Sequence, residues 1–342
     1  MCGFAGFVDF AGSDADPVRT LGAMARALAH RGPDDEGVLF DGPTRTGLAF
    51  RRLSILDLSA AGAQPMRSAC GRLEIVFNGE IYDHATLRGR FGGGRAFRGH
   101  SDTEALLATV EALGMPAALG ELRGMFAFAL LDRGTRTLWL ARDRFGVKPC
   151  RYALSRGHAA PDGAFTVPEG ASLLFASELG AIRAHPGFSG SLDRRALHGL
   201  LSFGCVPSPM TIHREARSVP PGHLLRVDLA TREARIERWW SPAVLADAGA
   251  RDPFGGTDAE AVDAVDRAIV ESVRMRMVAD VPVGAFLSGG IDSSVVVAAM
   301  QELSSSPVLA FTIGSDDPDF DESPHAAAVA RHLGVEHEVL RL

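Results

Sequence analysis

Met1-Cys2-Gly3-Phe4 begin the chain, and Cys2 determines how the rest of the sequence is interpreted. After removal of Met1, Cys2 would carry a thiol and a free α-amine in one residue. The amine titrates at about 7.7–8.0 and the thiol at about 8.5, so part of the amine is unprotonated at neutral pH and can accept the thiol proton. A terminal nucleophile activated by its own amine is a known arrangement. A cysteine at position 2 is uninformative alone, so this hypothesis depends on the motifs that follow.

Length and composition indicate a globular protein of about two domains, at ~150 residues each for the 342 residues. The net charge of −7 argues against a nucleic-acid-binding surface. No apolar run approaches ~20 residues and no signal peptide is evident, so we expect no membrane segment. The cysteines are far apart and fit neither a disulfide scaffold nor a zinc site, which favours a reducing, cytoplasmic location; they are Cys2, Cys70, Cys150 and Cys205.

The predicted strand from Leu73 to Phe77 ends at Asn78-Gly79. Asn-Gly is a turn signal, so a plain turn is one interpretation. In the other, the Asn78 side-chain amide and the Gly79 backbone N–H form an oxyanion hole. Losing one such donor typically costs about 3 kcal/mol of transition-state stabilisation. The two residues leave both interpretations open.

Ser101 and Asp102 precede a predicted helix from Thr103 to Leu113, and either residue could cap it. Alternatively, Asp102 could receive the ammonium group of an amino-acid substrate while an arginine such as Arg52 binds its carboxylate bidentately.

The glycine-rich stretch 91–99 has no strand before it and no G-K-[ST] after it. We therefore expect a surface connection there rather than a phosphate loop.

Two nearly continuous apolar stretches, 125–131 and 137–143, are predicted to form a hairpin around Asp132-Arg133-Gly134. Strands of this composition belong to a sheet that is covered on both faces. Further elements are expected at 150–154, 172–176, 177–184 and 193–202. Together they predict an αββα sandwich in the first part of the chain.

Seven short motifs follow one another: Met1-Cys2-Gly3, His30-Arg31-Gly32-Pro33-Asp34, Arg52-Leu53-Ser54-Ile55, Asn78-Gly79-Glu80-Ile81-Tyr82, Ser101-Asp102-Thr103-Glu104, Gly124-Met125-Phe126-Ala127-Phe128 and Ala141-Arg142-Asp143-Arg144-Phe145-Gly146. In this order they resemble the class II glutamine amidotransferase domain of the asparagine synthetase family, which implies an Ntn-hydrolase fold. By that resemblance Cys2 would attack the side-chain amide of glutamine, and Asn78 and Gly79 would hold the oxyanion. The implied glutamine-binding residues are Arg52, Leu53, Ser54, Ile55, Leu56, Asn78, Gly79, Glu80 and Asp102. One position departs from the family: Phe50 stands where a histidine is common, and we expect it to alter packing behind the glutamine pocket.

A hairpin and a linker are predicted at 221–257, between a glutaminase domain at 1–220 and a second domain at 258–342. In the second domain a strand at 282–287 leads into Ser288-Gly289-Gly290-Ile291-Asp292-Ser293-Ser294 and then a helix. This layout presents backbone N–H groups and a positive helix end to phosphate. The absence of a lysine excludes a Walker A loop.

This loop resembles the SGGxDSS pyrophosphate loop of the ATP pyrophosphatases, and the run from Asp280 to Ser294 resembles the synthetase domain of the asparagine synthetase family. The resemblance implies a parallel-sheet domain of the α/β class that uses ATP and Mg²⁺, with Leu287 and Ile313 flanking the adenosine. By the same resemblance Asp292 could act near the magnesium pyrophosphate, or it could cap its helix. The acidic stretch 316–322 is expected to be a solvated loop and N-cap for the helix that starts near Ser323 rather than a metal site, and no metal ligand is assigned. The implied ATP-binding residues are Leu287, Ser288, Gly289, Gly290, Asp292, Ser293, Ser294 and Ile313.

The activity implied is an ATP-dependent carbon–nitrogen ligase: Cys2 releases ammonia from glutamine, and an aspartyl-adenylate accepts it to give asparagine, AMP and pyrophosphate. The expected partners are glutamine, aspartate and ATP, with no nucleic acid and no membrane, and the expected assembly is a homodimer. Family members continue beyond Leu342, so the part that selects the acceptor would lie outside this sequence. The alternatives are amidation of another carboxylate on a peptide or cell-surface precursor, an isolated glutaminase, and an inactive truncated paralogue. A lactam-forming relative is disfavoured because it would not need Cys2.

Overall fold

The structure is a computed structural model that describes residues 1–94, 96–158, 160 and 162–341. Arg95, which belongs to the predicted surface connection 91–99, lies outside the described residues. The chain forms two compact units, Met1–Leu245 and Ala246–Leu342. Within the described residues, no helix combines the length and the apolar character needed to cross a bilayer.

The first unit contains, in chain order, β1 (Gly3–Val8), α1 (Pro17–Arg26), β2 (Asp35–Asp41), β3 (Thr46–Arg52), β4 (Met66–Arg67), β5 (Leu73–Ile81), α2 (His84–Phe91), α3 (Asp102–Leu113), α4 (Ala117–Glu121), β6 (Gly124–Asp132), β7 (Thr137–Arg142), β8 (Arg151–Leu154), β9 (Ala164–Thr166), β10 (Leu173–Ala176), α5 (Leu179–Arg183), α6 (Arg194–Phe203), β11 (Ala216–Ser218), β12 (His223–Asp228) and β13 (Glu233–Arg238). The strands build a six-stranded sheet in the order β11-β8-β10-β1-β3-β2 and a seven-stranded sheet in the order β4-β5-β6-β7-β12-β13-β9. Neighbouring strands in both sheets are antiparallel.

Alternating side chains divide the first unit into four layers. Along β6, Ala127, Ala129 and Leu131 enter a core shared with β1 and β3 of the other sheet. Phe126 and Phe128 face the opposite way, into a core with α3 and α4. A third core lies between the six-stranded sheet and the helices α1 and α5. The order helix, sheet, sheet, helix confirms the predicted αββα sandwich.

The stretch 221–257 differs in part from the expected hairpin and linker. The hairpin is present, but β12 pairs with β7 and so extends the seven-stranded sheet of the first unit. The expected linker contains the helix α7 (Pro242–Arg251), which crosses the boundary between the units. Its Pro, Gly and Asp residues suggested a loop, but Pro242 is at the helix start, where its missing N–H costs little. The domain boundaries at 220 and 257 stay a prediction.

The second unit contains α8 (Asp258–Arg276), β14 (Gly284–Phe286), α9 (Ile291–Leu303), β15 (Leu309–Gly314), α10 (Ser323–Leu333) and β16 (Glu336–Arg341). The strands form a parallel sheet in the order β14-β15-β16, with α9 and α10 as the connections between them. Parallel strands need such crossovers because a tight turn cannot join them. The predicted parallel sheet of the second domain is therefore confirmed.

Candidate active site

A cavity of about 330 Å³ opens beside Cys2 in the first unit. Its wall is built from the chain start, the end of β3 with the loop after it, the middle of β5, the start of α3, and two single residues, Met125 and Lys148. Every predicted glutamine-binding residue except Ser54 lines this one cavity. The Ser54 N–H donates instead to Asp34 Oδ2 at 2.8 Å. The lining residues among those predicted are Arg52, Leu53, Ile55, Leu56, Asn78, Gly79, Glu80 and Asp102.

The Cys2 thiol is held against the loop that follows β3. The Leu53 N–H donates to Cys2 Sγ at 3.4 Å, and the thiol lies 3.4 Å from the Leu53 carbonyl oxygen. Burial raises the pKa of the Cys2 thiol, while the Leu53 hydrogen bond and the positive chain terminus act in the opposite direction. The resting group is therefore a thiol, and it needs a base to become a nucleophile.

The main chain at Cys2 is fixed by a half-buried arginine. Arg31 Nε donates to the Cys2 carbonyl oxygen at 2.8 Å, and Arg31 Nη1 pairs with Glu178 Oε1 at 2.6 Å. His30 Nε2 lies 3.0 Å from the other oxygen of the same carboxylate. The motif His30-Arg31 thus positions the chain start, a role that the sequence pattern did not reveal.

The interpretation of Asn78-Gly79 as a turn is wrong. Strand β5 runs through both residues to Ile81 and pairs with β6 along its whole length. Asn78 is 1% exposed, and its Nδ2 has no hydrogen-bond partner among the described residues. A buried donor without a partner is uncommon and calls for an explanation. A ligand oxygen in the cavity would supply the missing acceptor.

Gly79 offers a second donor beside Asn78. On the edge of β5 that faces away from β6, Phe77 and Ile81 donate their N–H groups to Gln64 Oε1 at 2.6 Å and to Asp102 Oδ2 at 2.9 Å. Alternate residues of a strand direct their N–H groups to the same edge, so the Gly79 N–H lies between these two bonds. A Cβ at Gly79 would lie 2.3 Å from the Met125 carbonyl oxygen. Only glycine lets the two strands approach this closely.

Asp102 is a buried carboxylate that does not cap its helix. Ser101 makes the capping bond, by accepting from the Glu104 N–H. Asp102 is 6% exposed and forms no ion pair within the described ranges. Burial raises the pKa of its carboxyl group to about 6, against the hydrogen bonds from Ile81 and Thr103. A cationic ligand group would stabilise its charged form.

Arg52 is already engaged in the structure. Its Nη1 donates to the Ser59 carbonyl oxygen at 3.0 Å, and its Nη2 donates to the carbonyls of Leu56, at 3.4 Å, and Asp57. The expected bidentate grip on a substrate carboxylate would have to share or exchange these bonds. The bonds hold the loop that carries Ile55 and Leu56 in the cavity wall, while the positive charge of Arg52 has no carboxylate partner in the part of the chain that is described.

Lys148 is a cavity residue that lies outside the sequence motifs. It is 6% exposed, and its Nζ donates to Met1 Sδ at 3.3 Å. Burial lowers the pKa of Lys148; Glu80 and Cys2 act in the opposite direction. A signal was available in the composition, because Lys148 is the only lysine in the sequence.

Phe50 is also part of this region. It is 1% exposed, lies in the core between the two sheets and reaches the cavity wall. Its expected effect on packing behind the pocket stays a prediction.

All four cysteines are free, and Cys150 is fully buried.

In the second unit, the motif Ser288–Ser294 consists of a short loop, 288–290, and the first residues of α9; Gly290 occupies the cap position, with no side-chain capping bond from the described residues. The serine hydroxyls bond within the loop: the Ser288 N–H donates to Ser293 Oγ at 3.2 Å, and Ser294 Oγ donates to the Gly290 carbonyl oxygen at 2.7 Å. Gly289 has φ +79°, and a Cβ there would lie 2.8 Å from the Ala326 nitrogen. The first N–H groups of α9 therefore remain available for an anion.

The other predicted ATP-binding residues differ in how far their positions agree with the predicted roles. Asp292 is in the first turn of α9 but does not cap the helix, so that alternative is wrong. Ile313 is 55% exposed, whereas the Leu287 side chain is 1% exposed and packs in the core with Val297. Contact of the Leu287 side chain with adenosine is therefore not supported by its position. The described residues contain no group of three or more candidate metal ligands.

Comparison with known proteins gives matches to both parts of the chain. A family model described as a glutamine amidotransferase domain matches residues 1–240, and one described as asparagine synthase matches residues 264–342. Asparagine synthetase [glutamine-hydrolyzing] 1 of Bacillus subtilis is 34% identical over 98% of this chain and 49% of its own length. Amidase chry2 of Gibberella zeae is 30% identical over 100% of this chain and 51% of its own length.

Among solved structures, glutamine phosphoribosylpyrophosphate amidotransferase from Bacillus subtilis is similar, with a TM-score of 0.48, 16% identity, and coverage of 99% of this chain and 65% of that one. The chain spans about half the length of the curated relatives it matches. Since one family model covers most of the chain and the second begins after it, the chain belongs to the glutamine amidotransferase family, in the group whose members continue into an asparagine synthase domain.

Proposed function

We propose that the first unit hydrolyses glutamine through a thioester on Cys2. The observation that carries this proposal is the arrangement of three groups around one cavity: the Cys2 thiol, the Asn78 amide donor and the Asp102 carboxylate, of which the last two have no hydrogen-bond acceptor and no ion-pair partner, respectively, among residues 1–94, 96–158, 160 and 162–341. A nucleophile, an oxyanion donor and an acceptor for an ammonium group are what the hydrolysis of an amino acid's side-chain amide requires.

In this mechanism Met1 is first removed. The Cys2 amine takes the thiol proton, and Sγ attacks the side-chain carbonyl carbon of glutamine, breaking the carbonyl π bond. The resulting oxyanion accepts hydrogen bonds from Asn78 Nδ2 and the Gly79 N–H. The tetrahedral intermediate collapses when the ammonium of Cys2 protonates the leaving nitrogen, which departs as ammonia. Water, deprotonated by the same amine, then attacks the thioester and releases glutamate and the thiol.

The backbone end of glutamine would be bound at the other wall of the cavity. The Asp102 carboxylate pairs with the substrate ammonium group, which supplies the cation that the carboxylate lacks in the structure. Arg52 supplies positive charge for the substrate carboxylate. Glu80 is the remaining charged residue that we assign to the binding of the backbone end of glutamine. Leu53, Ser54, Ile55 and Leu56 form the adjoining loop, where Ser54 acts by holding the loop through Asp34.

For the whole protein we propose glutamine-dependent asparagine synthesis, an ATP-dependent carbon–nitrogen ligation. The asparagine synthase match and the names of the relatives support it. ATP would place its phosphates at Ser288–Ser294 and the α9 N-terminus, beside Ser293, Ser294 and Asp292, with Ile313 near the adenosine. The described residues show no ligand cluster for Mg²⁺, so no step is assigned to it. The aspartate acceptor, a homodimer and a cytoplasmic location are parts of this proposal, and the free, dispersed cysteines support the location.

A second candidate keeps the glutaminase but amidates a different carboxylate. The similarity to Amidase chry2 over the whole of this chain favours leaving the acceptor open. Assaying the complete gene product with aspartate and with alternative carboxylate acceptors distinguishes the two.

The glutaminase itself is tested by measuring glutamate release by the purified chain. We expect turnover by the wild type, loss of turnover in Cys2→Ala, and wild-type turnover in Cys205→Ala, which changes an exposed cysteine outside the cavity. In the complete protein, Cys2→Ala should leave ammonia-dependent synthesis intact. Undiminished glutaminase activity in Cys2→Ala would refute the proposal.

A further inference from the structure

Two residue types occur once in the 342 residues, and both line the Cys2 cavity. Asn78 is the only asparagine, and Lys148 is the only lysine; the other 34 of the 35 basic residues are arginine. A chain that otherwise uses arginine for its permanent cations uses lysine at this one buried position. Lysine differs from arginine in carrying a compact ammonium charge on a flexible stem. The composition therefore singles out the Lys148 ammonium group as a candidate for a role in the Cys2 cavity.

The main chain at Lys148 is rigidly held. The Asp143 carboxylate accepts N–H bonds from Phe126 at 3.1 Å, Val147 at 3.0 Å and Lys148 at 2.9 Å. Arg142 Nε donates to the Lys148 carbonyl oxygen at 2.9 Å. The loop that carries Lys148 is thus fixed to β6 and β7, and its side chain reaches the chain start, where Nζ contacts Met1 Sδ. The ammonium charge is directed at the residues that contain the nucleophile.

We propose that Lys148 is a positioning residue for Cys2, whose ammonium charge holds the Cys2 α-amine in its neutral, proton-accepting form and stabilises the thiolate. This inference rests on the proposed glutaminase function. Removal of Met1 takes away the thioether that Nζ contacts, and the new amine then belongs to Cys2, which lines the same cavity as Lys148. A nearby cation disfavours a second cation and favours an anion, so both effects follow from one group.

The surrounding charges agree with this assignment. Burial lowers the pKa of the Met1 amine most, and Arg31 and Lys148 lower it further, while Cys2 and Asp34 oppose them; this amine occupies the chain start before Met1 is removed. The thiol is influenced by Asp102, which raises its pKa, and by Arg52, which lowers it. Glu80 and Asp143 favour the charged form of Lys148, and Arg31 opposes it. The charged groups that face this region are Arg31, Asp34, Arg52, Glu80, Asp102, Asp143 and Lys148.

Two variants separate charge from packing. Lys148→Met removes the charge and keeps an unbranched chain, whereas Lys148→Arg keeps the charge. Arg19→Gln is the control, because it removes an exposed positive charge on α1, outside the cavity. Circular dichroism confirms that each variant is folded, and mass spectrometry confirms that each begins at Cys2.

The first readout does not require glutamine turnover: the rate of Cys2 alkylation by uncharged iodoacetamide is followed against pH by peptide mass spectrometry. The second readout is the pH dependence of glutaminase kcat/KM. In Lys148→Met we expect the alkylation midpoint and the acidic limb of kcat/KM to move to higher pH, with activity recovered in alkaline buffer. Lys148→Arg and Arg19→Gln should keep the wild-type midpoints.

The inference is overturned if Lys148→Met keeps the wild-type alkylation midpoint, or if Lys148→Arg shifts as far as Lys148→Met. The two proposals fail separately. A wild type that is alkylated at Cys2 with the expected Lys148 dependence but releases no glutamate contradicts the glutaminase, whereas an active wild type without that dependence contradicts the role of Lys148.

Discussion

Replacement of Asn78 by alanine should separate activity from stability. The Asn78 side chain is buried and makes no hydrogen bond within the described residues, and its Nδ2 lacks an acceptor. An unsatisfied buried donor costs about 1–3 kcal/mol of folding free energy. Removing it deletes no bond, so we expect the free energy of unfolding of Asn78→Ala to equal or exceed the wild-type value.

The effect on catalysis should have the opposite sign. Loss of one oxyanion donor lowers kcat by about 10²–10³, or about 3–4 kcal/mol of transition-state stabilisation. The Gly79 N–H remains, so activity should fall within this range rather than vanish. Because the ground-state amide needs this donor less than the oxyanion does, KM for glutamine should change little. Steady-state glutamate release gives kcat and KM, and urea unfolding gives the free energy.

Gln64→Ala is the matched control in the same cavity wall. Gln64 accepts from the Phe77 N–H at 2.6 Å, and its Nε2 donates to the Phe77 carbonyl and to Thr103 at 3.3 Å. Its removal breaks these bonds and should lower the free energy of unfolding by about 1–3 kcal/mol. A kcat of Asn78→Ala within about threefold of the wild type is far less than the loss of an oxyanion donor and would contradict this role of Asn78. A destabilisation as large as that of Gln64→Ala would contradict it too.

Asp102→Asn should raise KM for glutamine, and the wild-type KM should rise as the pH falls below about 6. Because burial raises the pKa of Asp102 from 3.8 to about 6, the stability that the protonated carboxyl group gives the folded protein is fully present below pH 3.8 and is lost as the pH rises through about 6. In urea unfolding, Asp102→Asn should therefore stabilise the protein more at pH 8 than at pH 4. Gly79→Ala should lower the free energy of unfolding by about 1–3 kcal/mol and abolish glutamate release, because its Cβ meets the Met125 carbonyl oxygen at 2.3 Å; wild-type activity would contradict this. Gly289→Ala, at φ +79°, should weaken ATP binding measured by calorimetry and leave glutaminase activity unchanged, and unaltered ATP affinity would contradict the placement of phosphates at this loop.

The layered fold could be predicted because its strands are long and apolar. The paired stretches that became β6 and β7 are buried on both faces, and this pattern is typical of the inner layer of a sandwich. The Asn78-Gly79 dipeptide misled as a turn signal because local preference is weak compared with a strand that pairs continuously from Leu73 to Ile81. Tertiary pairing overrode the local signal.

The candidate site was predicted as a set of residues but not as a set of contacts. Cys2 and Asp102 line one cavity, as the resemblance of the motifs implied. The motifs could not show that the Arg52 guanidinium donates to carbonyls of the loop that follows it, since those bonds depend on how residues 56–59 fold back. Lys148 was missed because no motif gave it a role, although its single occurrence in the sequence was a usable signal.

The identity of Cys2 as the N-terminal nucleophile is tested by mass spectrometry of the N-terminal peptide after incubation with a chloroketone analogue of glutamine. We expect a peptide that begins at Cys2, lacks Met1 and carries one adduct on the Cys2 sulfur, with the exposed Cys70 and Cys205 unmodified and with protection by excess glutamine. A mature chain that retains Met1, an acylated Cys2 amine, or an adduct on another residue would contradict it.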